Sequence, residues 1–215
     1  MKHPATAALL EFWTELRAGR PAPFKAEVTA QALGGSIASH VFFIEAVGDS
    51  EMRIRLAGRM THTIFGMDLR GISATAIMEG ESRARFIALA AEALASGGVG
   101  LAQGVLIGGP GASTGVEIIL APLKNDFGRI DRLLCAAHAT GEDNAPVELE
   151  PAARRCRLTQ TQVIGAAVSK VSAPLAGFAE APAGFLHQNP ALTGLSGDSA
   201  GGGARRRDHL KLVKD

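Results

Sequence analysis

The sequence predicts a mixed α+β fold, in which helices back an antiparallel β-sheet, and three observations lead to this prediction. Residues 5–18 repeat apolar side chains at helical spacing, whereas later segments carry the short apolar runs and alternations typical of strands. The connections between those segments are short and rich in turn residues, which favours antiparallel neighbours. A chain of 215 residues, 47% of them hydrophobic, can bury a core of useful size.

The leading helix is predicted to be amphipathic. Pro4 precedes it and Gly19 follows it, as expected at the two ends of a helix. Its apolar residues recur at i, i+3, i+4 and i+7 and form one stripe: Leu9, Phe12, Trp13 and Leu16. This stripe either covers the sheet of its own chain or meets the same stripe in a second copy or in a partner, so a homodimer is one of the two expectations.

Five strands and one long helix are predicted after the leading helix. The strands cover residues 41–44, 52–56, 99–107, 116–122 and 130–139, and alternation of apolar and polar residues is clearest in the second and third. Between the second and third strands, residues 58–79 contain several glycines and predict short helical turns, and residues 82–96 predict the long helix. The result is an α+β fold with a five-stranded antiparallel sheet and flanking helices.

Composition divides the chain into three regions. Residues 1–35 hold the leading helix and a connector, residues 36–140 the main domain, and residues 141–215 a low-complexity tail rich in Ala, Gly, Pro and Ser that we expect to be mostly flexible. A short helix around residues 159–169 is a further expectation. The tail ends in a basic run that either solubilises the terminus or makes transient contact with an anionic surface: Arg205, Arg206, Arg207, Lys211 and Lys214.

Charge and composition argue against several classes of partner. The chain has 22 Lys plus Arg against 21 Asp plus Glu, and it lacks tyrosine, so we expect no stable binding to nucleic acid. Its most apolar stretch, residues 163–179, is interrupted by Gly, Lys and Pro, so we expect no membrane span and no stable membrane binding. Only two cysteines are present and no signal peptide is evident, which favours a cytoplasmic location.

Two groups of reactive or charged residues receive structural interpretations. Cys135 and His138 lie three apart on a predicted strand and should point to opposite faces, so we interpret the cysteine as a buried thiol and expect no metal site. Three arginines cluster on the second strand and its exit: Arg53, Arg55 and Arg59. We interpret them as a solvated face paired with Glu45 or Glu51, with an anionic ligand as the alternative.

The segment 52–71, MRIRLAGRMTHTIFGMDLRG, resembles the signature of one bacterial family of PAS-like domains. In that family a strand ends in Arg-Leu-Ala-Gly, a short helix follows, and Phe-Gly then precedes a charged residue beside Leu and Gly. The matching residues are Arg55, Leu56, Ala57, Gly58, Phe65, Gly66, Asp68, Leu69, Arg70 and Gly71. Residues 117–123, EIILAPL, are similar to the penultimate strand of the family, and Arg132 lies near the start of its last strand.

The resemblance implies a sensing or protein-interaction role in signal transduction and supplies no catalytic residues. It also implies no haem or flavin, because the long helix has no histidine and both cysteines lie beyond the short-helix region that the flavin variant uses. We therefore expect a bacterial PAS-like sensor, with no cofactor, that is not an enzyme and has no output domain of its own. Its partners would be a second copy, an unidentified signalling protein or a small apolar ligand.

A small apolar pocket is the predicted ligand site. Its candidate lining residues are Phe43, Ile54, Leu56, Phe65, Met78, Phe86 and Ile119. Two alternatives stand beside this hypothesis. One is a small hydrolase-like enzyme that uses Glu117 and His138 on neighbouring strands as general acid and base. The other is a structural adaptor with a filled core and no ligand.

Overall fold

The computed structural model describes residues 3–48, 51–108, 114–141 and 147–165. Within these ranges the α-helices are α1 (Pro4–Arg17), α2 (Ala30–Leu33), α3 (Gly35–Ala38), α4 (Arg59–Phe65) and α5 (Ser82–Ser96), with short 3₁₀ helices at Lys25–Glu27 and Ala74–Ile77. The strands are β1 (Val41–Val47), β2 (Glu51–Ala57), β3 (Val99–Ile107), β4 (Thr114–Lys124), β5 (Ile130–Thr140) and β6 (Arg155–Ile164). Every helix in these ranges is too short or too polar to span a lipid bilayer.

All six strands form one antiparallel sheet in the order β2-β1-β5-β4-β3-β6. The α+β fold with flanking helices and the five predicted strands are confirmed, and so are the leading helix and the long helix. The predicted short helical turns between β2 and α5 are present as α4 and the second 3₁₀ helix.

The sheet has a sixth strand that the sequence analysis did not predict. β6 lies in the region assigned to the tail, and a short helix at residues 159–169 is wrong for the described part of that range. Cys156 and Leu158 alternate into the core, but the register then shifts opposite Gln103 and Gly104, so Thr159 is skipped in the pairing with β3. This β-bulge breaks the period of two that identifies a strand. Residues 166–215, including the basic run, lie outside the described residues.

The inner face of the sheet carries the larger part of the core. Helices α4 and α5 and the second 3₁₀ helix pack on this face, because alternate residues of every strand point toward them. The large side chains that are fully buried there include Phe42, Ile44, Ile54, Phe65, Leu69, Ile77, Met78, Phe86, Ile118 and Leu120.

The outer face is covered by α1 and by the short helices α2 and α3. Leu9 and Trp13 of α1 are buried on β4 and β5, and the indole Nε1 of Trp13 donates a hydrogen bond to the carbonyl oxygen of Pro122 at 2.8 Å. The outer core also contains Leu33, Val41, Val99, Leu101, Ile119, Ala121, Leu123, Leu134 and Ala136. The sheet is therefore buried on both faces over its central strands.

Residues 152–154, directly before β6, lie against the C-terminal end of α4. Helix α4 ends at Gly66, which has φ +64°, and a methyl group on this residue would overlap the carbonyl oxygen of Ala152. The backbone N–H of Arg154 donates to the carbonyl oxygen of Phe65 at 2.9 Å. Glycine after Phe65 is thus required both for the left-handed conformation that ends the helix and for the close approach of the returning chain.

Candidate functional site

A β-bulge in β2 turns Leu56 to the outer face of the sheet. Ile44 is paired with Ile54, but the next pair is Phe43 with Leu56, so Arg55 is skipped in the register of the two strands. The extra residue reverses the side-chain alternation, and Leu56 faces outward although Ile54 is fully buried inside. Leu56 is 52% exposed, next to the partly buried Phe43 on the same face.

Leu56 and Phe43 line an open groove on the outer face. The groove has a volume of about 250 Å³, and most of its walls are apolar: Val28, Ala30, Leu33, Ala38, Val41, Phe43, Leu56, Ala57 and Gly58, with Lys25 at one side. Lys25 forms no ion pair with any residue in the described ranges. Gly58 is required here, because a methyl group on it would overlap the backbone carbonyl oxygens of Ala38 and Ser39.

The seven predicted pocket residues do not come together. Four of them are fully buried in the inner core: Ile54, Phe65, Met78 and Phe86. Ile119 is buried in the outer core, in the cluster that includes α1, and Phe43 and Leu56 line the outer groove. The sequence pattern placed Leu56 with Ile54 on one face, and the bulge at Arg55 is the reason that the two residues separate.

The apolar stripe of α1 covers the sheet of its own chain. Leu9 and Trp13 are buried there, and Phe12 is packed against the outer core. Leu16 is half-buried on the same helix. Of the two uses predicted for the stripe, this structure shows contact within the chain, and dimerisation through the stripe stays a prediction.

A second cluster of polar residues lies on the outer face, beneath the first turn of α1. Glu117 of β4 lies directly opposite His138 of β5, as the hydrolase alternative requires. The rings of His3 and His138 are stacked with their centroids 3.0 Å apart, and the centroid of His40 lies 5.1 Å from that of His138. Glu117 and His138 could be singled out from the sequence as neighbours on adjacent strands, but His3 and His40 could not, because only the tertiary fold brings these four residues together.

Both carboxylate oxygens of Glu117 accept hydrogen bonds. Oε1 accepts from the hydroxyl of Thr6 and from the backbone N–H of His3 at 3.3 Å, and Oε2 accepts from the side-chain amide of Gln103 at 2.8 Å. The residue is only 5% exposed. The carboxylate therefore fixes the first turn of α1 to the sheet.

Burial shifts the titration of the histidines in this cluster. The pKa of His138 is lowered from 6.5 to about 4, first because burial removes its charged form from water and then because His3 and His40 are potential positive charges nearby. Burial also lowers the pKa of His3, and Glu117 opposes both shifts. Among the described residues, no group of three or more His, Cys, Asp or Glu side chains is arranged to hold a metal ion.

The other two groups singled out from the sequence are structural. Arg53 forms an ion pair with Glu51 at 2.7 Å, and Arg55 forms one with Glu45 at 2.5 Å, as the interpretation of a solvated charged face predicts. Cys135 is buried in the inner core, whereas His138 lies on the outer face of the same strand.

The fold and the sites together define a small α+β domain: an antiparallel sheet with short helices and one long helix on its inner face, and an apolar groove on the outer face. A family model described as PAS domain matches residues 1–137, which is more than half of the chain, and the chain belongs to this family. A PAS domain is in general a signal-sensing or interaction module. No curated protein matches the chain at a significant level.

Proposed function

We propose that this chain is a PAS-type protein-interaction module that passes a signal by contact, and that apolar side chains of a partner protein bind in the outer groove. The observation that supports this most directly is the exposure of Leu56 beside Phe43. An apolar side chain that a β-bulge turns out of the core leaves apolar surface in contact with water, and covering that surface favours association.

The size of the groove favours a partner protein over a small ligand. At about 250 Å³ it is smaller than the roughly 300–1,000 Å³ of most ligand pockets, and it is open to solvent along one side. A groove of this kind suits one or two anchoring side chains, which carry much of the binding energy in protein interfaces. Lys25 at its side would pair with an acidic residue flanking those anchors.

The contacts of Glu117 support a role other than catalysis. A general base must reach the proton that it removes, whereas this carboxylate is buried beneath α1 and already accepts hydrogen bonds on both oxygens. A hydrolase screen of the purified protein, with Glu117→Gln as the control, tests this point. Robust turnover that disappears in the variant would show that the chain is an enzyme.

Site-specific photocrosslinking tests the proposed interface. A photoreactive phenylalanine analogue is placed at Leu56 in one variant and at Phe127, a 96% exposed residue between β4 and β5, in the control, and both are irradiated in the native cells. We expect a protein adduct from position 56 that position 127 does not give. Binding of that partner, once purified, should then weaken about tenfold or more with Leu56→Asp and stay unchanged with Phe127→Asp.

Two results would contradict the proposal. One is equal crosslinking from positions 56 and 127. The other is a small molecule that native mass spectrometry finds bound to the wild-type protein and missing from Leu56→Asp, because this would make the groove a ligand site. An adduct between two copies of the chain would identify the partner as a second copy.

A further inference from the structure

Three histidines and one glutamate meet where the first turn of α1 lies on the sheet. His138 belongs to β5, Glu117 to β4, His40 directly precedes β1, and His3 is the N-cap of α1. Among the described residues, the titratable groups that face His138 are His3, His40 and Glu117. The buried Nδ1 atom of His138 has no hydrogen-bond partner within the described part of the chain.

We propose that this cluster is a pH-sensitive latch, which holds α1 on the sheet at neutral pH and releases it when the histidines are protonated. The latch goes beyond the partner interface proposed above, and its test needs no partner. The two proposals can therefore fail independently.

The capping bond of His3 requires a neutral ring. Its Nδ1 accepts a hydrogen bond from the backbone N–H of Ala5 at 3.0 Å, which caps the helix. A protonated imidazole carries N–H on both nitrogens and cannot accept this bond. Protonation would also place a positive charge at the positive end of the helix dipole. Both effects weaken the start of α1.

The stack of His3 on His138 is the second reason to expect that protonation releases α1. Two neutral imidazoles can stack closely, but two imidazolium rings with centroids 3.0 Å apart repel each other strongly in a partly buried setting. His40 adds a third potential charge 5.1 Å from His138. Glu117 can compensate one positive charge, and its two oxygens already accept hydrogen bonds from Thr6, His3 and Gln103. Uptake of further protons therefore favours separation of α1 from the sheet.

The direction of the pH dependence follows from the lowered pKa values. The ordinary pKa of a histidine is 6.5, and in the docked structure burial, with His3 and His40 nearby, lowers that of His138 to about 4. The released state therefore binds more protons than the docked state between these two values. The stabilisation of the docked state is complete above pH 6.5 and is lost as the pH falls toward about 4.

Release would uncover the outer core. Leu9 and Trp13 would leave the surface formed by Val99, Leu101, Ile119 and Leu134. Leu33 and Val41 belong both to this core and to the walls of the outer groove. The latch thus controls apolar surface next to the groove.

The only tryptophan of the chain, Trp13, reports directly on the latch. Its fluorescence is recorded on the full chain from pH 8 to pH 4, with far-ultraviolet circular dichroism on the same samples. We expect a red shift of the emission, because the buried indole becomes exposed, with a midpoint between pH 4 and pH 6.5. The circular dichroism of the sheet should persist through this transition.

Two variants and a control identify the groups that titrate. In His3→Asn the cap is kept, since asparagine accepts the same bond, but the charge cannot form. His138→Gln removes the charge on the sheet. Each should lower the midpoint, and the double variant should lower it by about one pH unit or more. His62→Gln, in α4 and outside the cluster, should leave the midpoint unchanged.

Three outcomes would overturn the latch. The first is emission of the wild type that stays constant from pH 8 to pH 4. The second is a red shift that occurs only together with loss of the circular dichroism signal, because that is global acid unfolding. The third is a folded double variant whose midpoint equals that of the wild type. If the double variant does not fold, the same comparison is made with His3→Asn alone.

Discussion

Leu56 lies directly opposite Phe43 on the outer face of the sheet, although Ile54, two residues earlier in the same strand, is paired with Ile44 inside the core. The single extra residue Arg55 produces this change of face. The same strand therefore contributes to the inner core with one half and to the outer groove with the other.

Replacement of Gly66 by alanine should destabilise the protein strongly. The new methyl group would overlap the carbonyl oxygen of Ala152, and φ is +64° at this position. We expect the free energy of unfolding to fall by about 3 kcal/mol or more. Gly71→Ala is the matched control, because φ is +79° there and nothing lies within 4 Å of the added carbon, so only about 1 kcal/mol should be lost. Equal losses in urea denaturation would show that Ala152 does not pass over Gly66.

Phe86 is expected to be an essential residue of the inner core. Its side chain is fully buried, and Phe86→Ala would leave a cavity among tightly packed neighbours. The free energy of unfolding should fall by about 3–5 kcal/mol. Phe127→Ala removes the same side chain from a 96% exposed position and should change stability by less than about 0.5 kcal/mol. Thermal and urea unfolding of both variants measure this difference, and an unchanged stability of Phe86→Ala would refute the assignment.

Strand β6 should contribute to the stability of the whole sheet. Leu158 is buried on the inner face, so Leu158→Ala should cost about 2–4 kcal/mol. Gln160, two residues further on, is exposed, and Gln160→Ala should have little effect. If the two variants unfold at the same urea concentration, β6 does not belong to the cooperative unit.

Neither cysteine should react in the native protein. Burial raises the pKa of Cys156 to about 12 and that of Cys135 well above its ordinary value, so the reactive thiolate is scarcely populated at neutral or mildly alkaline pH. Iodoacetamide at pH 8 should modify neither thiol over about an hour. Both thiols should be modified in about 8 M urea, a concentration high enough to unfold most domains. Mass spectrometry counts the added groups. Rapid labelling of native Cys156 would show that the region around β6 opens readily.

Much of the fold could be predicted from the sequence, because in its central part the apolar residues repeat at clear intervals and turn residues mark the ends of the elements. Alternation identified β3, and helical spacing together with Gly97 identified α5 and its end. Both signals are local, so they survive without any knowledge of tertiary contacts.

The errors at the site have two physical causes. β-Bulges at Arg55 and Thr159 shift the alternation by one residue, which placed Leu56 on the wrong face and concealed β6. The histidine cluster was missed for another reason. His3 and His138 are 135 positions apart, and nothing near His3 indicates which strand its helix will cover.

The last strand also determines how much of the chain must be expressed to obtain a protein that does not aggregate through an unpaired sheet edge. The family match ends at residue 137, yet β6 closes one side of the sheet by pairing along the whole of β3. A version shortened to the match would leave one edge of the nine-residue strand β3 unpaired, a ready template for intermolecular strand addition and aggregation. Recombinant versions that retain Ile164 avoid this hazard.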